Sequence, residues 1–266
     1  MSRNVPAGYD IGKFPPFAVT VDIVILSVVD GVLLVLLIER KDKPFKKAWA
    51  LPGGFKRPEE TLDEAARREL REETGVDAPR HLSQFGAYGD PKRDPRGNVV
   101  TIGYLAVTPE VGEIMAGTDA SDARLWPVAE VLDGDVKLAF DHATILADAV
   151  ERAAADLESS DLATAFVGPS FTLTELQRVY EAVWDDQLDT ANFRRSLSAS
   201  GRSVGSAPSA PAPSDAAYVM PLGVRAESTG RGGRPPELYA AGGGWSEDGS
   251  PVKRPRKKSP RAKKPE

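Results

Sequence analysis

Residues 51–76, LPGGFKRPEETLDEAARRELREETGV, restrict the chain to few folds. Thr61 followed by Glu64 is a capping-box pair, and Gly75 is a natural residue just past a helix end. A helix is therefore expected from about Leu62 to Thr74, behind a glycine-bearing loop. On it Glu69, Glu72 and Glu73 stand at i, i+3 and i+4, so at about 100° per residue three carboxylates share one face and are expected to converge. Like charges at this spacing repel, and acids in a last turn face the negative end of the helix dipole. A local rule broken in this way points to function. The competing account is a solvated helix in which Glu64 reaches Arg68 and Arg68 reaches Glu72, each pair worth a few tenths of a kcal/mol. The loop in front, Leu51-Pro52-Gly53-Gly54, argues for a ligand instead. Gly53 and Gly54 let backbone approach a bound group, and the positive end of the helix favours phosphate. Hard oxygen ligands suit Mg²⁺ or Mn²⁺, which bridges phosphate oxygens and generates a nucleophilic hydroxide. Glu69, Glu72 and Glu73 are thus candidate metal ligands, with Glu60 as a supplementary one.

The spacing Gly54, Glu60, Arg68-Glu69-Leu70, Glu72-Glu73, Gly75-Val76 fills all nine specified positions of the Nudix box, and the segment closely resembles the Nudix family. That resemblance implies divalent-cation binding and substrates that are nucleoside diphosphates linked to another moiety. It places Glu72, Glu73 and Arg68 in the catalytic set, with Arg68 orienting a glutamate rather than touching substrate.

A chain of 266 residues suits one large domain or two smaller ones, and composition favours two plus tails. There is no cysteine, which excludes disulfides, thiolate zinc sites and cysteine nucleophiles and points to a reducing cytoplasm. The longest apolar run, roughly 17–38, is broken by Asp22 and Asp30-Gly31, and the start of the chain lacks a signal pattern. Neither a membrane span nor export is expected. The net charge of −5 conceals an asymmetry: residues 251–266 hold eight Lys and Arg against Glu266, leaving about −12 on the rest.

Residues 1–15 are expected to form a flexible leader. FAVTVDIVILS and GVLLVLLIER read as two strands about the turn Val29-Asp30-Gly31. Arg40 begins a polar loop and is a candidate ligand contact; Trp49 either stacks on an adenine or joins the core. Residues 82–88 and 99–107 read as a hairpin around GDPKRDPRGN. Lys92, Arg93 and Arg96 in that loop either meet phosphates or a ribose or belong to a solvated turn. Residues 119–127 suggest a loop and strand before a closing helix, and Asp119, Asp122 or Glu130 is a candidate general base. FDHATILADAVERAAADL has helical spacing at Ile145, Leu146, Ala149, Val150 and Ala153. His142 and His81 are expected to cap or pack rather than to bind metal.

Thr172 and Glu175 form a second capping box, after which Leu173, Leu176, Val179, Tyr180 and Val183 make one apolar stripe. Asp189 can cap a further helix, TANFRRSLSAS, bearing Thr190, Asn192, Arg194 and Arg195. Two short helices across a tight turn suit a helix-turn-helix. Residues 217–222 and 236–239 are candidate wing strands, with Arg231 and Arg234 at a glycine-rich tip suited to a narrow minor groove. SAPSAPAPS lies in a flexible insertion at about 203–216, and 243–266 is expected to be a disordered basic tail that adds salt-sensitive phosphate binding.

FTLTELQRVYEAVWDDQLDTANFRRSL with the later GRPPELY, downstream of the box and of LAFDHATILADAVER, resembles the Nudix-related transcriptional regulators of NAD metabolism. The resemblance covers roughly residues 15–200 and 230–240. It implies an α/β/α Nudix sandwich over 16–158 that senses ADP-ribose or a related nucleotide. It also implies a winged helix-turn-helix over 159–242 that binds double-stranded operator DNA as a homodimer and releases it on ligand binding. Such a protein would be cytoplasmic and nucleoid-associated when on DNA. The box departs from the family, in which it is often degraded; here it is intact, which keeps open an Mg²⁺-dependent ADP-ribose pyrophosphatase yielding AMP and ribose 5-phosphate. The Ser/Ala/Pro insertion is a second departure.

Overall fold

The computed structural model describes residues 10–75, 79–109, 120–199, 217–227, 235–242 and 250–255. Its centre is a mixed sheet built on β1 (Ala18–Val29), a strand buried on both faces. Alternation divides it: Val21, Ile23 and Ile25 enter one core with Leu36, Tyr104 and Ala106, while Val24 and Leu26 enter another with Val35, Leu37, Leu105 and Val107. Two covered faces explain the near-continuous apolar run.

Antiparallel β2 (Val32–Arg40) turns back from β1 and pairs with it only from Leu26↔Val35 to Val29↔Val32. The two strands then diverge. The fork is filled by β3 (Trp49–Ala50), which pairs with Ile38 and Glu39 of β2, and by β4 (Gly53–Phe55), which pairs with Thr20, Val21 and Asp22 of β1. The box loop is thereby held between two strands of the central sheet. α1 (Leu62–Thr74) follows, with the Thr61–Glu64 capping box formed and Gly75 left-handed at φ 73°. A box of this kind contributes about 1 kcal/mol. Ala65, Ala66 and Leu70 of α1 cover the Ile23 face of the sheet.

β5 (His81–Tyr88) and β6 (Val99–Val107) form the expected hairpin, and β6 runs parallel to β1 over Ala18↔Val99 to Leu26↔Val107. β7 (Ala120–Pro127) closes the far edge against β2. The short α2 (Val128–Leu132) leads to α3 (His142–Ser159), which packs Ile145, Leu146, Ala149 and Ala153 on the second face. The α/β/α sandwich is therefore as read from sequence.

The same core continues through α4 (Leu162–Ala165), α5 (Leu173–Trp184) and α6 (Thr190–Ala199). The Trp184 indole N–H donates to the Ala154 carbonyl of α3 at 3.0 Å. β8 (Val219–Arg225) and β9 (Glu237–Ala241) pair as a wing. The expectation of a disordered tail from 243 is corrected over its described part. Ser250 and Val252 are buried, Ser250 N–H bonds the Glu158 carbonyl at 3.0 Å, and Arg254 N–H bonds the Glu158 carboxylate at 2.6 Å. The Ser250 hydroxyl also meets the buried Tyr180 hydroxyl at 2.9 Å, a partner 70 positions away. The leader up to residue 9, the insertion, Arg231, Arg234, Asp119, Val76 and the tail beyond 255 lie outside the described residues. Among the described residues no helix is long and apolar enough to cross a membrane.

Candidate functional site

A cavity of about 290 Å³ opens where β1 and β2 separate. β1 contributes Thr20 and Asp22, β2 contributes Ile38 and Arg40, the box contributes Gly53, Gly54, Phe55, Glu69 and Glu73, and the loop and helix beyond add Arg93, Asp94, Arg96, Phe140 and His142. Both box glycines lie at close approaches, against backbone at Gly53 and against a side-chain end at Gly54. A Cβ on Gly53 would run into the Val21 carbonyl oxygen, and one on Gly54 would run into the Glu69 carboxylate.

The predicted convergence of three carboxylates holds for two of them. Glu69 and Glu73 are buried at the cavity, whereas the Glu72 side chain is 51% exposed and lies outside it. Helical geometry explains this: at about 100° per residue Glu69 and Glu73 are only about 40° apart, while Glu72 is about 100° from Glu73 and turns to solvent. Glu73 accepts the Gly53 N–H at 2.7 Å, which ties the loop to the last turn of α1. Burial raises the Glu69 pKa, with the Arg68 guanidinium pulling the other way.

Arg68 acts as a clasp. It donates Nε and Nη2 to Glu60 at 2.9 and 2.7 Å, Nη1 to Glu69 at 2.7 Å and to Glu72 at 3.2 Å, and Nη2 to the Phe55 carbonyl at 3.1 Å. The hydrogen bonds from Arg68, with a further one from the Arg57 N–H, hold Glu60 down at about pKa 2. Glu60 is thus engaged with Arg68 and is not part of the cavity lining. Arg68 positions carboxylates and is absent from the lining as well. Among the described residues no group of three or more acidic or histidine side chains stands ready to hold a metal ion.

A second set of side chains is cationic and aromatic. The Arg40 guanidinium sits over Phe140 at 4.9 Å and donates to the Pro44 carbonyl at 2.9 Å. Arg96 lies over Phe55 at 5.0 Å and Phe140 at 5.5 Å while forking onto Asp94. The solvated-turn alternative is corrected for Arg93, whose side chain is only 4% exposed. It grips Asp141 at 2.8 and 2.6 Å and approaches Asp22 at 3.4 Å. The sequence reading missed Asp22 and Asp141 as site residues. A single carboxylate inside the apolar run of β1 is the signal that could have found the first.

His142 packs, as expected, and is also a latch: its Nδ1 accepts the Leu51 N–H at 2.9 Å and its Nε2 is 3.7 Å from Asp22. Burial lowers its pKa, so the ring is neutral and Nδ1 is free to accept. Trp49 joins the core rather than the cavity. Its ring meets Trp126 at 5.3 Å, and Arg124 covers both. His81 meets the Ser83 hydroxyl at 2.8 Å. Asp122 and Glu130 are exposed and do not line the cavity.

The helix-turn-helix presents the second surface. Phe193 and Leu197 anchor α6, leaving Thr190, Asn192, Arg194 and Arg195 exposed. Asp189 caps the helix by accepting the Asn192 N–H at 2.8 Å, and Arg195 donates to the Asn192 side chain at 2.6 Å. Arg194 shares a groove with Arg225 of the wing, whose guanidinium donates to the Pro235 carbonyl at 2.6 Å. Arg225 was not anticipated, because nothing in the sequence separates it from other exposed arginines.

The fold and site define a class: an α/β sandwich whose cavity is lined by glycines, arginines and carboxylates, joined to a winged helix. Residues 16–149 match the NUDIX domain family, and residues 164–202 match the NrtR DNA-binding winged helix domain. The chain is 38% identical over 198 residues to the ADPR responsive transcriptional repressor NtrR of Acinetobacter baylyi, covering 73% of this chain and 78% of that one. It is 44% identical over 124 residues to the ADP-ribose pyrophosphatase of Methanocaldococcus jannaschii, 45% of this chain and 70% of that one. The crystal structure of Shewanella oneidensis NrtR complexed with a 27mer DNA superposes with a TM-score of 0.68 at 30% identity, covering 84% of this chain and 93% of that one. The chain belongs to the NrtR family of Nudix-related transcriptional regulators.

Proposed function

We propose that the chain is an ADP-ribose-responsive transcriptional repressor of NAD-metabolism genes, binding palindromic operator DNA as a homodimer. The carrying observation is the cavity itself. Arg40, Arg93, Arg96 and Phe140 offer cationic and aromatic contacts to a nucleoside diphosphate, and the helix that starts at this cavity is bonded to the winged helix through Trp184. ADP-ribose carries two phosphates, a purine and two riboses, which such a lining can pair and stack. On the DNA side, Asn192 and Arg195 suit base edges, and Arg194 and Arg225 suit phosphates. Arg231 and Arg234 remain candidates for the minor groove.

Mg²⁺ or Mn²⁺ fits the donor chemistry of Glu69 and Glu73, two hard carboxylates at the cavity, with Glu72 on the exposed edge of the same helix and, like Glu69, bonded to Arg68. When bound, such a cation would neutralise pyrophosphate charge and activate water. The intact box supports a second activity, hydrolysis of ADP-ribose to AMP and ribose 5-phosphate. In that activity Glu73 fixes the Gly53 loop and Arg68 fixes Glu69.

A gel shift with palindromic operator DNA, with and without ADP-ribose, tests the repressor reading. Binding by wild type, release on adding ADP-ribose, and loss of binding in Arg194→Ala plus Arg195→Ala are expected. No shift by wild type, or an equal shift by the double variant, would refute it.

A further inference from the structure

A groove of about 860 Å³ lies between the β1–β2 hairpin, α2 and the end of α5, away from the nucleotide cavity. Its floor is apolar and includes Val32 and Leu132, 45% and 42% exposed. Its rim holds Asp133, Asp185 and Asp186, with Arg178 as a cation. α2 ends at Asp133 and α5 ends at Asp185, and neither helix has a basic residue in its last turn. Two negative helix ends thus add to the rim carboxylates without the usual local compensation. An apolar floor under an acidic rim fits lysine and arginine side chains, whose methylene stems cover aliphatic surface while their heads meet carboxylates.

The chain carries such a segment. Residues 256–266, RKKSPRAKKPE, hold six cations. Their root is fixed by the docked residues before them: Arg254 bonds Glu158 through its backbone and Glu151 through its guanidinium at 3.1 Å. Glu151 is next to Val150, which lines the groove. Eleven extended residues reach roughly 36 Å, more than the roughly 27 Å length of α3.

We propose that residues 256–266 dock in cis into this groove when no DNA is bound. The same cations are then unavailable for non-specific phosphate contacts, and operator DNA must displace them from a site beside the α5–α6 turn. The docking itself does not depend on the repressor reading; only its consequence for DNA does.

Because the chain has no cysteine, introduced cysteines report cleanly. Lys258→Cys with Leu132→Cys in the full chain is expected to form an intramolecular disulfide under mild oxidation at low salt. The yield should drop at least tenfold at 1 M salt, or when Asp133→Asn, Asp185→Asn and Asp186→Asn are added. Asparagine tolerates the left-handed backbone of Asp185, at φ 49°, so these changes preserve the fold. A second pair, Lys263→Cys with Ala129→Cys, guards against a poorly placed first pair. No cross-link in either pair, a cross-link only between chains, or a yield indifferent to salt and to the three asparagines would each overturn the proposal.

Discussion

Arg93, from the β5–β6 loop, grips Asp141 at the start of α3 through two hydrogen bonds of 2.8 and 2.6 Å. The pair joins the cavity to the helix that carries the winged-helix contact. The Arg93 side chain is 4% exposed and that of Asp141 25%. Removing one partner of a buried pair costs about 3–5 kcal/mol, and the partial exposure of Asp141 argues for the lower end. Asp141→Asn is therefore expected to lose about 3 kcal/mol in urea unfolding and to weaken ADP-ribose binding in calorimetry. Unchanged values for both would show that the ion pair matters neither to the fold nor to the cavity.

Arg68 holds Glu60, Glu69 and Glu72 together. Loss of a group that orients metal ligands typically costs 10–100-fold in metal affinity. Arg68→Ala should accordingly weaken Mn²⁺ binding by roughly 10–100-fold, read by electron paramagnetic resonance. Wild-type affinity in the variant would exclude a positioning role.

The buried His142 is held neutral, chiefly by burial, against the pull of Asp22 and Asp141 and with help from Arg93 and Arg40. Its folded pKa lies below the unfolded value of about 6.5, so the unfolded chain takes up the proton first. The stability this group contributes is complete above about pH 6.5 and falls as the pH drops below it. Unfolding free energies from pH 7.5 to 5 should show this loss, and His142→Asn should flatten it. A slope identical in the variant would contradict the assignment.

Tyr180 bonds both Tyr218 and Ser250 inside the core at 2.9 Å. Tyr180→Phe deletes the shared hydroxyl and should destabilise the chain by about 1–3 kcal/mol in urea unfolding. It should also speed proteolysis within residues 250–255. A variant as stable and as resistant as wild type would argue that those residues are held without the Tyr180 hydroxyl.

Local patterns were legible in the sequence. α1 and α5 announce themselves by capping boxes, and both hairpins by turn residues between apolar runs. What depends on distant partners was not. The parallel β1–β6 pairing and the seating of β4 against β1 are set by contacts tens of residues apart. Arg93 lies in a loop of turn-like composition, and only Asp141, 48 positions on, makes it a buried residue. Ser250 reads as tail until Tyr180 supplies its partner. Glu72 was legible in type but not in direction, because the i, i+3, i+4 spacing places three side chains on one helix face without saying which edge of that face meets the cavity.

Coupling between the cavity and α6 is reciprocal: if ADP-ribose weakens operator binding by some factor, the operator must weaken ADP-ribose binding by the same factor. Fluorescence anisotropy of labelled palindromic DNA at increasing ADP-ribose, paired with calorimetry of ADP-ribose at saturating DNA, measures both on the full chain. Matching factors of roughly 5–150-fold are predicted. An ADP-ribose affinity unchanged by DNA, with DNA affinity unchanged by ADP-ribose, would contradict the account.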